Sequence, residues 1–215
     1  ASEARHEVSV SFGNLNSNDP AWRILDGQQT PKGGIRAGYG LNPWLTLIGS
    51  WEMSRISNDH LASFYDYEYN DSVHGATPES DGQAVSGGVF SSLSVHHLSF
   101  GTKYSHAFLP WLVPYATTQA TVHVGSLSVS DNLDREEAEI AIDSSGIGFG
   151  GVVSGGLELR SKPYAGAFSF AAHLEFGYAL SSNMNFSIES EDSSADIGSL
   201  GYNGPTVSAG LGLRF

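Results

Sequence analysis

Apolar and polar residues alternate with a period of two along most of this chain. The stretch GPTVSAGLGLRF (204–215) shows it without a break. Val207, Ala209, Leu211, Leu213 and Phe215 are apolar, and Thr206, Ser208, Gly210, Gly212 and Arg214 between them are small or polar. Successive side chains of a strand point to opposite faces, so this pattern predicts a strand with one apolar face. The same pattern recurs at 8–12, 35–41, 45–53, 98–104, 116–124, 147–159 and 168–178, with Ile48 as an exception. These runs predict eight strands. Helical periodicity is nowhere sustained.

The connections alternate as well. LNPW (41–44), AFLPW (107–111) and RSKPYAG (160–166) are short, aromatic and contain proline. The other four, at about 14–34, 55–88, 126–145 and 180–204, are long and polar. An even number of strands, with short turns at one end and long loops at the other, is the layout of a transmembrane β-barrel. Strands of about 9–11 residues suffice for a tilted crossing. YGLNPWL and HAFLPWL echo each other, which places Trp44, Trp111 and Tyr164 in an aromatic girdle at one membrane face.

Composition decides which face is outside. A soluble sandwich or lipocalin-like barrel also alternates, but it needs a polar exterior. Here the polar set is mostly Gly, Ser and Thr, too small to clothe a soluble surface, whereas the apolar set is rich in Phe, Leu, Val and Tyr. The sequence therefore predicts an all-β protein, an eight-stranded antiparallel up-and-down transmembrane β-barrel with long extracellular loops, spanning 1–215 as one domain. No run is long and apolar enough for a transmembrane helix. The first residues, Ala1-Ser2-Glu3-Ala4, lack the basic start and apolar stretch of a signal peptide. Cysteine is absent, which excludes disulfides and thiolate metal sites. A formal net charge of −13 argues against nucleic-acid binding.

GIRAGYGLNPWLTLIGSWEMS (34–54), PYATTQATVHVG (114–125) and VSAGLGLRF (207–215) give the chain its resemblance to the small outer-membrane β-barrels of Gram-negative bacteria, the OmpA, OmpX and OmpW type. The resemblance covers all eight strands and is one of pattern more than motif. It implies location in the cell outer membrane after removal of a signal peptide, contact with outer-membrane lipid and lipopolysaccharide, and insertion by the barrel-assembly machinery. In that family an alternating last strand ending in Phe is the assembly signal, a role the resemblance gives to Phe215. A bland alternative is that Phe215 anchors in the periplasmic interface.

If the apolar set faces lipid, the opposite set fills the lumen. It contains Arg36, Lys103, Arg160 and Arg214, and against them Glu7, Glu52, Glu158 and Glu175. Buried charges persist when paired, and an eight-stranded barrel is just wide enough for its own side chains. The expectation is a lumen plugged by paired charges, with Glu7 beside Arg214 across the closing seam and Arg36 towards Glu52. A narrow proton or water path through the same groups is the alternative.

The acid excess then lies outside the wall, in Asp59, Asp66, Glu68, Asp71, Glu79 and Asp81, in Asp131, Asp134, Glu136, Glu137, Glu139 and Asp143, and in Glu189, Glu191, Asp192 and Asp196. Solubility and repulsion between cells explain it. Divalent-cation binding at the lipopolysaccharide surface is the sharper reading, although 134–143 lacks the glycine and spacing of an EF-hand loop. The aromatic and acidic FYDYEYND (64–71) offers a contact surface for a protein partner, or extends two strands.

Enzymes occur on this fold, and lipid A deacylases of that class use a His-x-Ser pair. His97 and Ser99 match it, but Phe100 stands where that pattern has Asn, and no carboxylate partner is identifiable. Histidines 96, 97, 106 and 123 invite a metal reading, but His96 and His97 point to opposite faces of a strand. No metal and no cofactor is expected. The function expected is structural, adhesive or partner-binding at the cell surface, without enzymatic activity. The rival readings are a small-solute or hydrophobic-molecule channel of the OmpW kind and a lipid A-modifying enzyme. The channel requires an apolar lumen near the outer end, against which Glu52, His123 and Glu175 argue.

Overall fold

The alternating runs form strands because each pairs with its neighbour in the register that keeps its large apolar side chains on one face. The computed structural model describes residues 6–17, 29–65, 84–132, 141–164, 168–190 and 193–215. Ten strands are described: β1 (His6–Asn16), β2 (Gln29–Asn42), β3 (Leu45–Tyr65), β4 (Ala84–Ser105), β5 (Leu112–Asn132), β6 (Ala141–Arg160), β7 (Ser169–Ser181), β8 (Met184–Ser190), β9 (Ser193–Leu200) and β10 (Gly204–Arg214). Eight of them close an antiparallel barrel in the order β1-β10-β7-β6-β5-β4-β3-β2. The seam joins β1 to β10 from Glu7 opposite Arg214 to Leu15 opposite Thr206.

β8 and β9 form a separate two-stranded sheet inside the segment expected to be the fourth long loop, 180–204. The other long loops shorten too. β3 runs on to Tyr65 and β4 begins at Ala84, so both ends of the expected 55–88 loop are strand. β2 begins at Gln29, inside the expected 14–34 loop. In FYDYEYND, Phe64 and Tyr65 pair with Val85 and Ala84, and 66–71 lie outside the described residues.

The wall is uneven in height. β3, β4, β5 and β6 have 21, 22, 21 and 20 residues, against 11, 14, 13 and 11 for β1, β2, β7 and β10. At about 3.3 Å per residue and a tilt near 40°, the tall side rises roughly 50 Å, about twice the apolar band of an outer-membrane-type barrel.

The outer surface marks where the lipid ends. Val8, Val10, Phe12, Ile35, Leu98, Phe100, Ile147, Phe149, Phe176 and Leu211 all point outward and are exposed, from 46% to 71%. No aqueous surface tolerates so continuous an apolar patch. Along the tall side the belt ends at one row of paired positions: Met53, His96, Val124 and Ile147. The next outward row is Arg55, Ser94, Ser126 and Ser145. At the turn end the belt ends at Leu45 and Tyr104. Leu45 to Met53 is about the 9–11 residues that a tilted crossing needs. This is a transmembrane belt, and the remainder of β3 to β6 stands above it.

Candidate functional site: the filled lumen

The inward set runs through alternate positions of all eight wall strands, and its small members leave room for a few large ones. Nearest the turn end lies a cluster of five charges. Lys103 Nζ donates to both oxygens of Glu7 at 3.0 Å and to Glu158 at 2.6 Å. Arg160 Nε donates to the other Glu158 oxygen at 2.5 Å. Arg214 Nε stands 3.8 Å from Glu7 and 3.7 Å from Glu158. Glu158 is therefore the hub, and it is 2% exposed.

Next comes Arg36, which grips Glu175 through two parallel bonds of 2.8 and 3.2 Å. Tyr115 adds a third bond to Glu175 at 3.0 Å. Above it Thr117 bonds Ser154, Ser50 donates to Gln119 at 3.3 Å, and Ser99 and Thr121 share a bond of 2.9 Å. Lys32 donates to Glu52 at 2.8 Å.

A polar quartet follows. His97 and His123 meet Nδ1 to Nδ1 at 2.7 Å, His97 Nε2 lies 3.1 Å from Ser54 Oγ, and Ser54 Oγ bonds Tyr202 Oη. Beyond the quartet the lumen turns apolar. Leu15, Leu93, Val95, Leu127, Ala179, Met184, Phe186, Leu200 and Tyr202 form a buried cluster. Met184 and Phe186 come from β8, which lies inside the tall wall. Gly146 and Gly148 of β6 give β8 its seat. A methyl group at Gly148 would stand 2.7 Å from Cγ of Met184, and one at Gly146 2.8 Å from the Asn185 carbonyl.

The expected residues fall as follows. Glu7, Arg36, Glu52, Lys103, Glu158, Arg160, Glu175 and Arg214 all face inward, each with an opposite charge within 4 Å. One pairing differs from expectation. Arg36 binds Glu175 rather than Glu52, and Lys32 occupies the position next to Glu52. Glu7 stands beside Arg214 across the seam as expected, 3.8 Å away, and Lys103 is nearer still. With Lys32 the described lumen holds five bases against four acids.

Ile48, the exception in the alternation, is an inward side chain, 1% exposed. His97 and Ser99 both face the lumen but do not bond each other, since Ser99 is held by Thr121 and the hydroxyl partner of His97 is Ser54. His96 lies outside, stacked on Trp51 at 5.9 Å. Among the described residues no three His, Asp or Glu side chains converge for a metal ion. The outer lumen, expected to be polar, is apolar: Glu52, His123 and Glu175 all sit on the turn-end side of the cluster around Phe186.

At the turn end Trp44, Trp111 and Tyr164 are 54%, 53% and 68% exposed, and Trp44 stacks on Tyr104. Phe215 exchanges backbone bonds of 2.9 and 3.0 Å with His6 and stacks on its ring at 5.6 Å. The acidic residues 66, 68, 71, 79, 81, 134, 136, 137, 139, 191 and 192 lie outside the described residues. Asp143 is exposed.

Sequence reasoning missed Lys32, Ser54, Tyr115 and Tyr202. For Lys32 a signal existed, since Thr30, Lys32 and Gly34 continue the inward parity of Arg36. For Tyr202 none existed, because it lies between two strands.

Wall and lumen together define a transmembrane β-barrel with a filled interior. No protein-family model matches the chain, and no curated protein matches it. Solved structures of similar architecture include Ail, the attachment invasion locus protein of Yersinia pestis, at 12% identity and TM-score 0.45 over 99% of both chains. Neisserial surface protein A is similar at 14% identity and TM-score 0.44, over 98% of this chain and 97% of that one. A major outer membrane protein from Thermus thermophilus is similar at 15% identity and TM-score 0.46, over 98% of this chain and 99% of that one. These are likenesses of fold, and the reading below rests on the residues of this chain.

Proposed function

We propose that this chain is a sealed outer-membrane barrel, exported with a signal peptide that is then removed, which acts at the cell surface through its acidic loops. The supporting observation is the double closure of the lumen. Paired charges occupy it at the turn end, and an apolar cluster occupies it at the loop end. A barrel closed in this way has its outside left to work with, and there the acid excess lies. The role is structural, adhesive or partner-binding, with lipid and lipopolysaccharide against the belt. Phe215 serves the assembly machinery as its recognition signal and then closes the seam against His6.

Protease shaving of intact cells tests the orientation. Cleavage within the acid-rich connections, around 66–83 or 133–140, with a heat-modifiable barrel left behind, is the expected result. Cleavage only after the outer membrane has been opened would place those segments in the periplasm and end the surface reading.

The apolar outer lumen favours a second reading, entry of a hydrophobic molecule from outside. In this conformation Phe186 and Met184 fill that space, and the charge cluster blocks passage to the other end.

A further inference from the structure

Ser54, His97 and His123 stand in the order of a nucleophile, its base and the group that orients the base. Ser54 Oγ is 3.1 Å from His97 Nε2, and the other nitrogen of that ring, Nδ1, is 2.7 Å from His123 Nδ1. The two contacts use opposite sides of the imidazole, as a triad requires, and triads recur on unrelated folds by geometry alone. All three side chains are 4% exposed or less, and none is needed to neutralise a charge.

The surroundings indicate a substrate. Ser54 belongs to a paired row that continues through Val95 and Gly125 to Gly146. The space over the two glycines is taken by the ring of Phe186, 3.0 Å from where a methyl group at Gly125 would stand. Leu93, Leu127 and Met184 complete the lining. With Phe186 withdrawn, this row becomes an apolar slot that leads to Ser54, whose hydroxyl also bonds Tyr202 Oη. Among the described residues the β8–β9 hairpin shares no ladder with the wall. Ser182 N donates to the Phe149 carbonyl at 2.7 Å, the Ser182 hydroxyl accepts from Phe149 N at 2.9 Å, and Ser144 donates to the Ser187 carbonyl at 2.8 Å.

We propose that Ser54, His97 and His123 form a serine acyl-hydrolase site for esters of linear acyl chains, covered in this conformation by the β8–β9 hairpin. His97 carries its proton on Nδ1, donates it to His123 Nδ1, and accepts the Ser54 hydroxyl on Nε2. Ser54 Oγ bonds the ester carbonyl carbon and its proton passes to His97 Nε2. The bond to the alcohol breaks as that proton moves to the leaving oxygen. Water then adds to the acyl-serine carbonyl, giving a proton to His97, which returns it to Ser54 Oγ as the fatty acid departs. His123 is a positioning residue.

The full barrel in detergent is exposed to alkyl fluorophosphonates, one with a long alkyl chain and one with an ethyl group, and the adduct is mapped by mass spectrometry. A single adduct on Ser54, formed faster by the long-chain probe, is the expected result. Ser54→Ala abolishes it, and His97→Gln slows it by about 10²–10⁴-fold. Phe186→Ala and Met184→Ala, which vacate the slot, accelerate it. With a p-nitrophenyl acyl ester, His123→Gln lowers kcat and leaves KM unchanged, a split that simple loosening of the lumen does not produce. Absence of a Ser54 adduct in the wild type and in both slot variants, all with heat-modifiable migration, overturns the proposal. So does reaction at another serine. Equal rates with long and short probes overturn the assignment of an acyl chain.

Discussion

From Lys103 to Lys32 the lumen of this barrel is crossed by charges, whereas around Phe186 it is packed with hydrocarbon. Both halves are filled by side chains, of opposite kinds. In the charged half each side chain is costly to bury, and only its partners make burial tolerable. Removing one partner therefore costs more than the pair contributes. In the apolar half each side chain is favourable by itself, and a loss is graded by the volume removed. The charged half is built into the wall, every member standing on a barrel strand. The apolar half borrows Met184 and Phe186 from a hairpin outside the barrel sheet. The first half is expected to fail only with the barrel, and the second to open while the barrel stands.

The sharpest way to break this contrast is at the hub. Glu158→Gln leaves Lys103 with Glu7 alone and takes from Arg160 the carboxylate it bonds. The expected loss is about 3–5 kcal/mol of barrel stability, measured by urea unfolding in lipid vesicles. Next in size is Phe186→Ala, which takes about 3 kcal/mol from the docking of the hairpin. Here hydrogen exchange is the readout: amides of β8 and β9 lose protection while those of β4 and β5 keep theirs. Equal loss in both would merge the two halves into one cooperative unit. Gly148→Ala is smaller, about 1–3 kcal/mol, since Met184 must move to admit the new methyl group. It is expected to change exchange in β8 alone. The smallest effect separates near from far charges at the seam. A double-mutant cycle on Glu7 and Arg214, 3.8 Å apart, is expected to show a coupling below about 1 kcal/mol, and a cycle on Glu7 and Lys103, bonded at 3.0 Å, a larger one.

The two halves were also unequally legible. The period of two gave the wall and the inward set, because in a closed sheet the face of a residue follows from its parity. Which charges meet depends on stagger between strands that are distant in sequence, so Arg36 with Glu175 could not be read. Lys32 was lost for a local reason. Pro31 and Gly33 flank it, and proline inside a strand pattern argues against a strand. In the structure Pro31 faces outward, opposite Asn14. The hairpin was harder. Met184, Phe186 and Ile188 do alternate, but the run is short and lies among Ser, Asn and Glu. Met184 and Phe186 have their partners in Gly125, Gly146 and Gly148, far away along the chain, and a glycine announces space without saying what will fill it. The quartet around Ser54 was half visible. His97 stood out beside a serine two positions on, yet its hydroxyl partner came from the neighbouring strand.

Central to the account is a lumen closed at two levels, and single-channel recording in planar bilayers at neutral pH tests it most directly. The purified wild type is expected to give no steady open-state current. Replacing β8 and β9 by a short turn is expected to leave it without one, because the charged half still closes the barrel. A large, steady current from the wild type would contradict the closure. A current that appears only without the hairpin would contradict the claim that the paired charges seal the lumen by themselves.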